Sequence, residues 1–485
     1  MWVANLVVFP YELDYGEGIV LWQTQHVAHL ASAYKPLTQY PYIVFHYPPL
    51  YHVVALAVSK LTGDLLFAGR LVSMLSGIGI GLVLAWIVYR SVPARAPRLG
   101  AISASVLAAS LPCGLESMEW TPYMRVDMLG LLLTFGGLAV FILARSTAQR
   151  YGAFILLVAA MYTRQTLIAG ALACLLVAAI LDFRQAIKFA IFTAALGGAV
   201  LAALSFATHG EVIKHIFLYN RNRYSFRHAI KFLSETIGPT IPLLALAGAA
   251  AFRPIMGLAR AFSRRAAAPL RARLSNNVYR LAVFTFTLHL LLSTLTSLAA
   301  GKRGSNVNYF LEWNLSACAL AGLFVGRLLW SWRRGRLSRV GALAYLLPVL
   351  VLAQQTETPL AVLLHGDTGR EELAERARHS QALLRILRNS PEPVMSEDMT
   401  LLYKAGKQIP FEPAIIAELV AMGLWDDAPL VEMVRNRAFS VMLIEDVDYR
   451  YSPELSEAIK DNYKPTEQYG DLTVYRPEGA PRSFH

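Results

Sequence analysis

The stretch "LLFAGRLVSMLSGIGIGLVLAWIVY", Leu65 to Tyr89, decides the fold. It carries one charge, Arg70, and then none until Arg90. A helix needs about 20 apolar residues to cross the hydrocarbon of a bilayer, and this window exceeds that length. Val278 to Ala300 meets the same requirement. The whole chain agrees: of 485 residues, 55% are hydrophobic and only 16% charged, where ordinary globular chains are about a quarter charged. The expected fold class is an all-α polytopic membrane protein of about 10–11 transmembrane or partial helices.

The net charge of +12 could suggest nucleic acid as a partner, but its distribution argues against one. Basic residues fall in short runs between apolar segments: "RSVPARAPR" (Arg90 to Arg98), "RSTAQR" (Arg145 to Arg150), "DFRQAIK" (Asp182 to Lys188), Arg253 to Arg273, and "RRGRLSR" (Arg333 to Arg339). Cytoplasmic Lys and Arg orient membrane helices in this way, so these loops are assigned to the cytoplasm. Cys113, Cys174 and Cys318 lie in apolar stretches without metal-ligand spacing, and predict no disulfide framework.

Parity then fixes the other loops. A span over Ala101 to Leu115 leads outward to "ESMEWTPYMRVD", and Met128 to Ala144 returns. Two short pieces, Tyr151 to Tyr162 and Gln165 to Leu181, go out and back, with "YTRQT" at a turn dipping below the outer surface. Thr208 to Lys231, "GKRGSNVN" and everything after about Gln354 fall outside. The Pro48 to Leu61 segment is too short for a span and carries His52 and Lys60, so it reads as an interfacial or re-entrant helix. That places "YELDYGEG" (Tyr11 to Gly18) outside as well. The apolar run before Pro10 is short and has no basic start, which predicts a first helix that has lost its beginning. Residues 1–355 form the expected transmembrane catalytic domain, with an outer loop bearing interfacial helices over 11–64. Residues 356–485 form a small extracytoplasmic α/β domain. In it, "PVMSED" and "FSVMLIED" read as buried strands, and Glu371 to Arg388 and Glu412 to Met422 as helices.

The outer face collects the chemistry. Asp14 and Glu17 come from the first loop, Glu116, Glu119 and Asp127 from the second. Arg70 and Arg125 lie at helix ends, and Arg164 and Gln165 in the short turn. Arg221, Arg223 and Arg227 follow in "HIFLYNRNRYSFRH", then Lys302 and Arg303. Charges beside hydrocarbon are costly unless paired or used. Arginines there suit a lipid-linked phosphate, whose oxygens take bidentate donors while apolar walls take the tail. A carboxylate opposite can remove a proton from an acceptor hydroxyl. Plainer roles compete: Asp14 and Glu17 as caps of an interfacial helix, Asp127 paired with Arg125 or Arg70, Arg70 as a headgroup anchor, "YPPLYHVV" as an aromatic belt. His26, His29, His46 and His52 are too scattered to make a metal site. No cofactor is required by these residues; clustered carboxylates are compatible with a divalent cation, though no ligand spacing demands one.

The order of these features resembles the GT-C superfamily of membrane glycosyltransferases, in the branch of the protein O-mannosyltransferases and the lipid A aminoarabinose transferase. The resemblance rests on an acidic first loop, "YPPLY", "FAGRLVSMLSG", "RVDMLGLLL" and "YTRQT" in sequence, and more weakly on "NYFLEWNL" and the outer domain. It implies transfer of a sugar from a polyprenyl-phosphate donor to a lipid, glycan or protein acceptor, outside the plasma membrane (a bacterial inner membrane) and with inversion. It further implies Asp14 as general base, with Glu17 and Asp127 as acidic neighbours, and Arg164 as a donor-phosphate ligand. Arg70, Arg125, Gln165 and Arg223 join the candidate phosphate ligands, and Asn308 and Glu312 the substrate cavity. One position departs from the branch: where a lysine precedes Pro-Pro-Leu, this chain has Tyr47. Arg70, Arg164 or Arg223 would then meet the phosphate, or Tyr47 would hydrogen-bond it. Two other classes remain: a transporter or flippase of a lipid-linked saccharide, which predicts internal repeats and midplane charges, and a non-catalytic scaffold.

Overall fold

The computed structural model describes residues 2–92, 98–114, 117–261, 264–332, 350 and 366–479. Among these, five helices are long and apolar enough to cross a membrane: Leu65–Ser91, Phe183–Ala207, Phe226–Leu258, Val278–Gly301 and Val307–Ser331. Shorter apolar helices, Asp127–Leu143 and Ala169–Leu181 among them, pack between these. The chain is a multi-pass membrane protein. Helices suit this setting because every backbone donor and acceptor is satisfied within the segment. Short polar residues start them: Ser146 and Gln149 form a reciprocal capping box, and Asp182 and Asn277 each accept backbone N–H groups of the following turn.

The segment expected to be interfacial is the helix Leu50–Thr62. It stops at Gly63, whose φ of 76° is open to a residue without Cβ, and Asp64 caps the next helix by accepting from Phe67 N at 2.8 Å. Both of its ends lie at one face of the bundle. Leu50 N donates to Tyr162 O in the "YTRQT" turn (3.0 Å), and Arg70, just beyond the other end, holds the first loop. The two short pieces around that turn are the helices Thr147–Met161 and Ala169–Leu181, with Thr163 and Arg164 buried between them.

At the same face sits a small α/β unit. Its sheet has the order β1-β2-β4-β3, with β1 (Met395–Ser396) parallel to β2 (Met442–Ile444), and β4 (Leu472–Pro477) antiparallel to both β2 and β3 (Tyr463–Tyr469). Helices Gly366–Asn389 and Pro413–Ala421 cover the positions expected of them. The β3–β4 hairpin was not expected: β3 is mostly exposed and interrupted by Pro465, so it lacks the apolar signal of a buried strand. The unit shares its core with the first loop. Val20, Leu21 and Tyr34 pack with Leu383, Leu387 and Leu401, while Leu37 and Val44 pack with Met395, Phe411 and Ile444. Burying each such side chain contributes about 1.5–3 kcal/mol. The basic run Arg333 to Arg339 and the boundary near residue 355 lie outside the described residues.

Candidate active site

Several chain segments meet at the domain-bearing face. Within the first loop the acidic stretch runs into the helix Gly16–His26, and Glu17 is fully buried in its first turn. Its carboxylate takes Arg70 Nε on Oε1 (2.8 Å) and Arg70 Nη2 on Oε2 (2.6 Å). Leu13 N (2.8 Å) and Met124 N (2.6 Å) complete its partners. Arg70 Nη1 donates to Leu6 O and Phe9 O, and Nη2 also to Tyr11 O. All the guanidinium N–H groups therefore have protein acceptors. Arg70, expected among the phosphate ligands, therefore has no donor left for one, and Glu17, expected as an acidic neighbour of the base, is instead the buried counter-ion of Arg70. The pair pins the first loop to the Leu65–Ser91 helix.

Asp14 is held more loosely. It accepts Gly16 N at 3.2 Å, and Arg125 Nε lies 3.2 Å from the same oxygen but too oblique for a hydrogen bond. Its side chain keeps 19% exposure. Arg125 can come this close because residue 16 is glycine: a Cβ there would stand 1.5 Å from Arg125 Nη1. The far side of Arg125 packs over Trp120, 5.2 Å from the ring centre.

Arg125 is also a wall of a cavity of about 280 Å³. Around it stand Tyr47, Arg164, Gln165, Lys302 and Asn308. Asp127, 1% exposed, lies beneath: its Oδ1 accepts Arg164 Nη1 and Asn308 Nδ2 (3.1 Å). The Arg164 guanidinium stacks over Tyr309, 4.5 Å from the ring centre. Burial, and then the charge of Arg125, draw the His46 ring down to about 3, so it stands neutral in the wall. Burial also pushes the Tyr47 phenol up, leaving it a protonated donor. The backbone carbonyl of His46 receives Gln165 Nε2 and Asn220 Nδ2, each at 3.1 Å, which ties three segments together.

The polar atoms left over are informative. His46 Nδ1, Arg125 Nε, Gln165 Oε1 and Asn308 Oδ1 are buried without a hydrogen-bond partner, and all belong to residues of this cavity. Asp127 Oδ2 is likewise without one. Buried polar groups are nearly always satisfied, so such a gathering marks a place for a polar ligand.

The remaining expected residues fall elsewhere. Arg223 is half-exposed and bound to Glu418 of the C-terminal unit (Nη2–Oε1 2.8 Å), which also faces Arg303 (3.3 Å). Glu312 sits deeper, 2.8 Å from His289 Nε2, whose Nδ1 faces Ser316 Oγ at 2.7 Å. A space of about 10 Å³, room for about one water, adjoins both Glu312 and Asp127. Glu119 and Arg227 are exposed and stand apart, and Glu116 lies outside the described residues. Sequence reasoning left His46 among scattered histidines and passed over Asn220 and Tyr309. Their signal was the polar runs "YNRNR" and "GSNVNY" between apolar segments. Among the described residues, no three His, Cys, Asp or Glu side chains are grouped to hold a metal ion.

No protein-family model matches the sequence, and no curated protein is similar to it. Solved structures are similar in three dimensions. The crystal structure of ArnT from Cupriavidus metallidurans, bound to undecaprenyl phosphate, matches with a TM-score of 0.59 over 100% of this chain and 97% of that one, at 14% identity. An oligosaccharyltransferase from Archaeoglobus fulgidus, tethered with an acceptor peptide, matches more loosely, with a TM-score of 0.46 over 99% of this chain and 73% of that one, at 11% identity. At such identities the likeness is one of fold, and the fold this chain shares is that of ArnT.

Proposed function

We propose that the protein transfers a sugar from a polyprenyl-phosphate donor to a lipid, glycan or protein hydroxyl, at the extracytoplasmic face of a bacterial inner membrane. The observation carrying this reading is the basic cavity with its unpartnered polar atoms, set where the helices meet the C-terminal unit. ArnT, whose fold this chain shares, was crystallised with undecaprenyl phosphate. Arg125, Arg164 and Lys302 supply positive charge around a phosphate, and Tyr47, in the place of the branch's lysine, adds a neutral donor. Asp127 acts at one remove, fixing the Arg164 guanidinium and the Asn308 amide.

The reaction is an in-line displacement. Asp14 takes the proton of the acceptor hydroxyl as its oxygen bonds to the anomeric carbon. The bond from that carbon to the phosphate oxygen breaks on the opposite side, so the configuration inverts. The departing polyprenyl phosphate carries its negative charge into the arginines, and such electrostatic stabilisation is usually the largest catalytic term. Asp14 is not itself a wall of the cavity; it faces the site across Arg125. That arrangement puts the base in contact with a cation that faces the phosphate site.

Purified protein incubated with a tritiated polyprenyl-phosphate sugar and a membrane extract as acceptor should release polyprenyl phosphate and label the acceptor. Unchanged donor, with labelled sugar carried instead across a vesicle membrane, would favour the transporter reading.

A further inference from the structure

A second cavity, of about 540 Å³, lies at the opposite end of the bundle. Arginines from separate helices converge on it: Arg253, Arg273, Arg280 and Arg327. Leu274 and Phe284 stand among its apolar walls, and among the described residues no carboxylate lines it. Among the described residues, none of these arginines has an ion-pair partner. The helix Val278–Ser297 carries Arg280 in its first turn, and its 3-10 continuation ends next to Lys302 of the first cavity. At about 1.5 Å per residue that helix is about 30 Å long, so the two cavities are a hydrocarbon thickness apart.

Orientation by positive charge needs Lys or Arg in loops, in no special arrangement. Here the cations are all arginine and surround one concavity without a counter-charge among the described residues. Like charges held together repel unless an anion joins them. Arginine's planar fork matches a phosphate, with two parallel donors to two oxygens. Beside Arg253 the same helix turns Phe252, Ile255 and Met256 outward, 65%, 42% and 40% exposed. A ligand with its phosphate among the arginines would have its hydrocarbon on that apolar face.

We propose that this cavity binds the phosphate headgroup of an anionic membrane lipid, at the face opposite the candidate active site. The inference stands independently of the glycosyltransferase reading. The site fixes the end of the Val278–Ser297 helix and joins it to the Val307–Ser331 span, where Arg327 packs against Tyr279, 5.7 Å from the ring centre.

The test is native mass spectrometry of the purified full-length protein in neutral detergent, with added phosphatidylglycerol, phosphatidylcholine or inorganic phosphate. Phosphatidylglycerol should remain bound, and phosphatidylcholine should not. R273Q/R280Q should lower the retained phosphatidylglycerol by about tenfold, the effect of losing about 1.4 kcal/mol of binding. R273K/R280K keeps the charge that orients the helices, so its partial loss, with an unchanged melting temperature, separates lost binding from misfolding. R164A, at the other cavity, should leave this retention unchanged. Equal retention in the wild type and both double variants, or equal retention of phosphatidylcholine, overturns the proposal. Displacement of the lipid by millimolar inorganic phosphate would make the ligand a soluble phosphate and overturn its assignment to lipid.

Discussion

At the scale of single residues, the site depends on which charges are committed and which are not. Arg70 has given every donor to protein acceptors, while Arg125 reaches Asp14 through the gap left by a missing side chain at Gly16. Gly16→Ala should therefore displace the Arg125 guanidinium and cut turnover at least about tenfold, while leaving the melting temperature within a few degrees. Steady-state assays beside a thermal melt would check this. Asp127→Ala leaves the buried Arg164 charge without its counter-ion, and breaking such a pair typically costs about 3–5 kcal/mol. The double variant D127A/R164A should recover much of the lost melting temperature but not donor binding; equal destabilisation of single and double variants would contradict the pairing. The acids and most of the cations were legible in the sequence because charge is rare in an apolar chain. Their partners were not: whether Arg70 faces a phosphate or Glu17 depends on contacts between loops that no local pattern encodes.

Between elements, the first loop and the C-terminal unit are joined by buried carboxyls. Glu12 accepts from Thr400 Oγ1 (3.3 Å) and is hydrogen-bonded to Asp398. Burial raises both carboxyls, Asp398 to about 6 and Glu12 well above its usual range, and their mutual charge adds to the shift of Glu12. A carboxyl raised on folding favours the docked form while protonated. Docking is therefore strongest below about pH 4, where both groups are protonated in either state. It weakens as pH rises through about 6 and further as Glu12 ionises. Hydrogen exchange of residues 11–15 should be slower at pH 5 than at pH 8 after correction for intrinsic rates, and Glu12→Gln should reduce that difference. An unaltered pH dependence in the variant would remove this pair from the interface. At this scale an element is legible in the sequence where periodicity is strong. The Leu65–Ser91 span and the helix Gly366–Asn389 follow from composition and a 3.6-residue repeat. The β3–β4 hairpin and the core shared between Leu37, Val44 and Phe411 do not, because they depend on pairing across distant parts of the chain.

Across the whole molecule, the proposed reaction requires the cavity and the C-terminal unit to face away from the cytoplasm. In a Cys113→Ser background, with Cys174 and Cys318 buried, Glu454→Cys should react with a membrane-impermeant maleimide added to cells whose outer membrane has been opened. Labelling only after the inner membrane is lysed would invert the topology. The same orientation would set the arginine cavity on the cytoplasmic side, where the basic loops are expected. The most direct measurement is the turnover of purified Asp14→Asn protein with a polyprenyl-phosphate sugar, alongside its binding of the polyprenyl phosphate product. The account predicts a fall in turnover of about 10²-fold or more, with product binding and melting temperature close to those of the wild type. Turnover equal to the wild type at matched binding would contradict the assignment of Asp14 as the base.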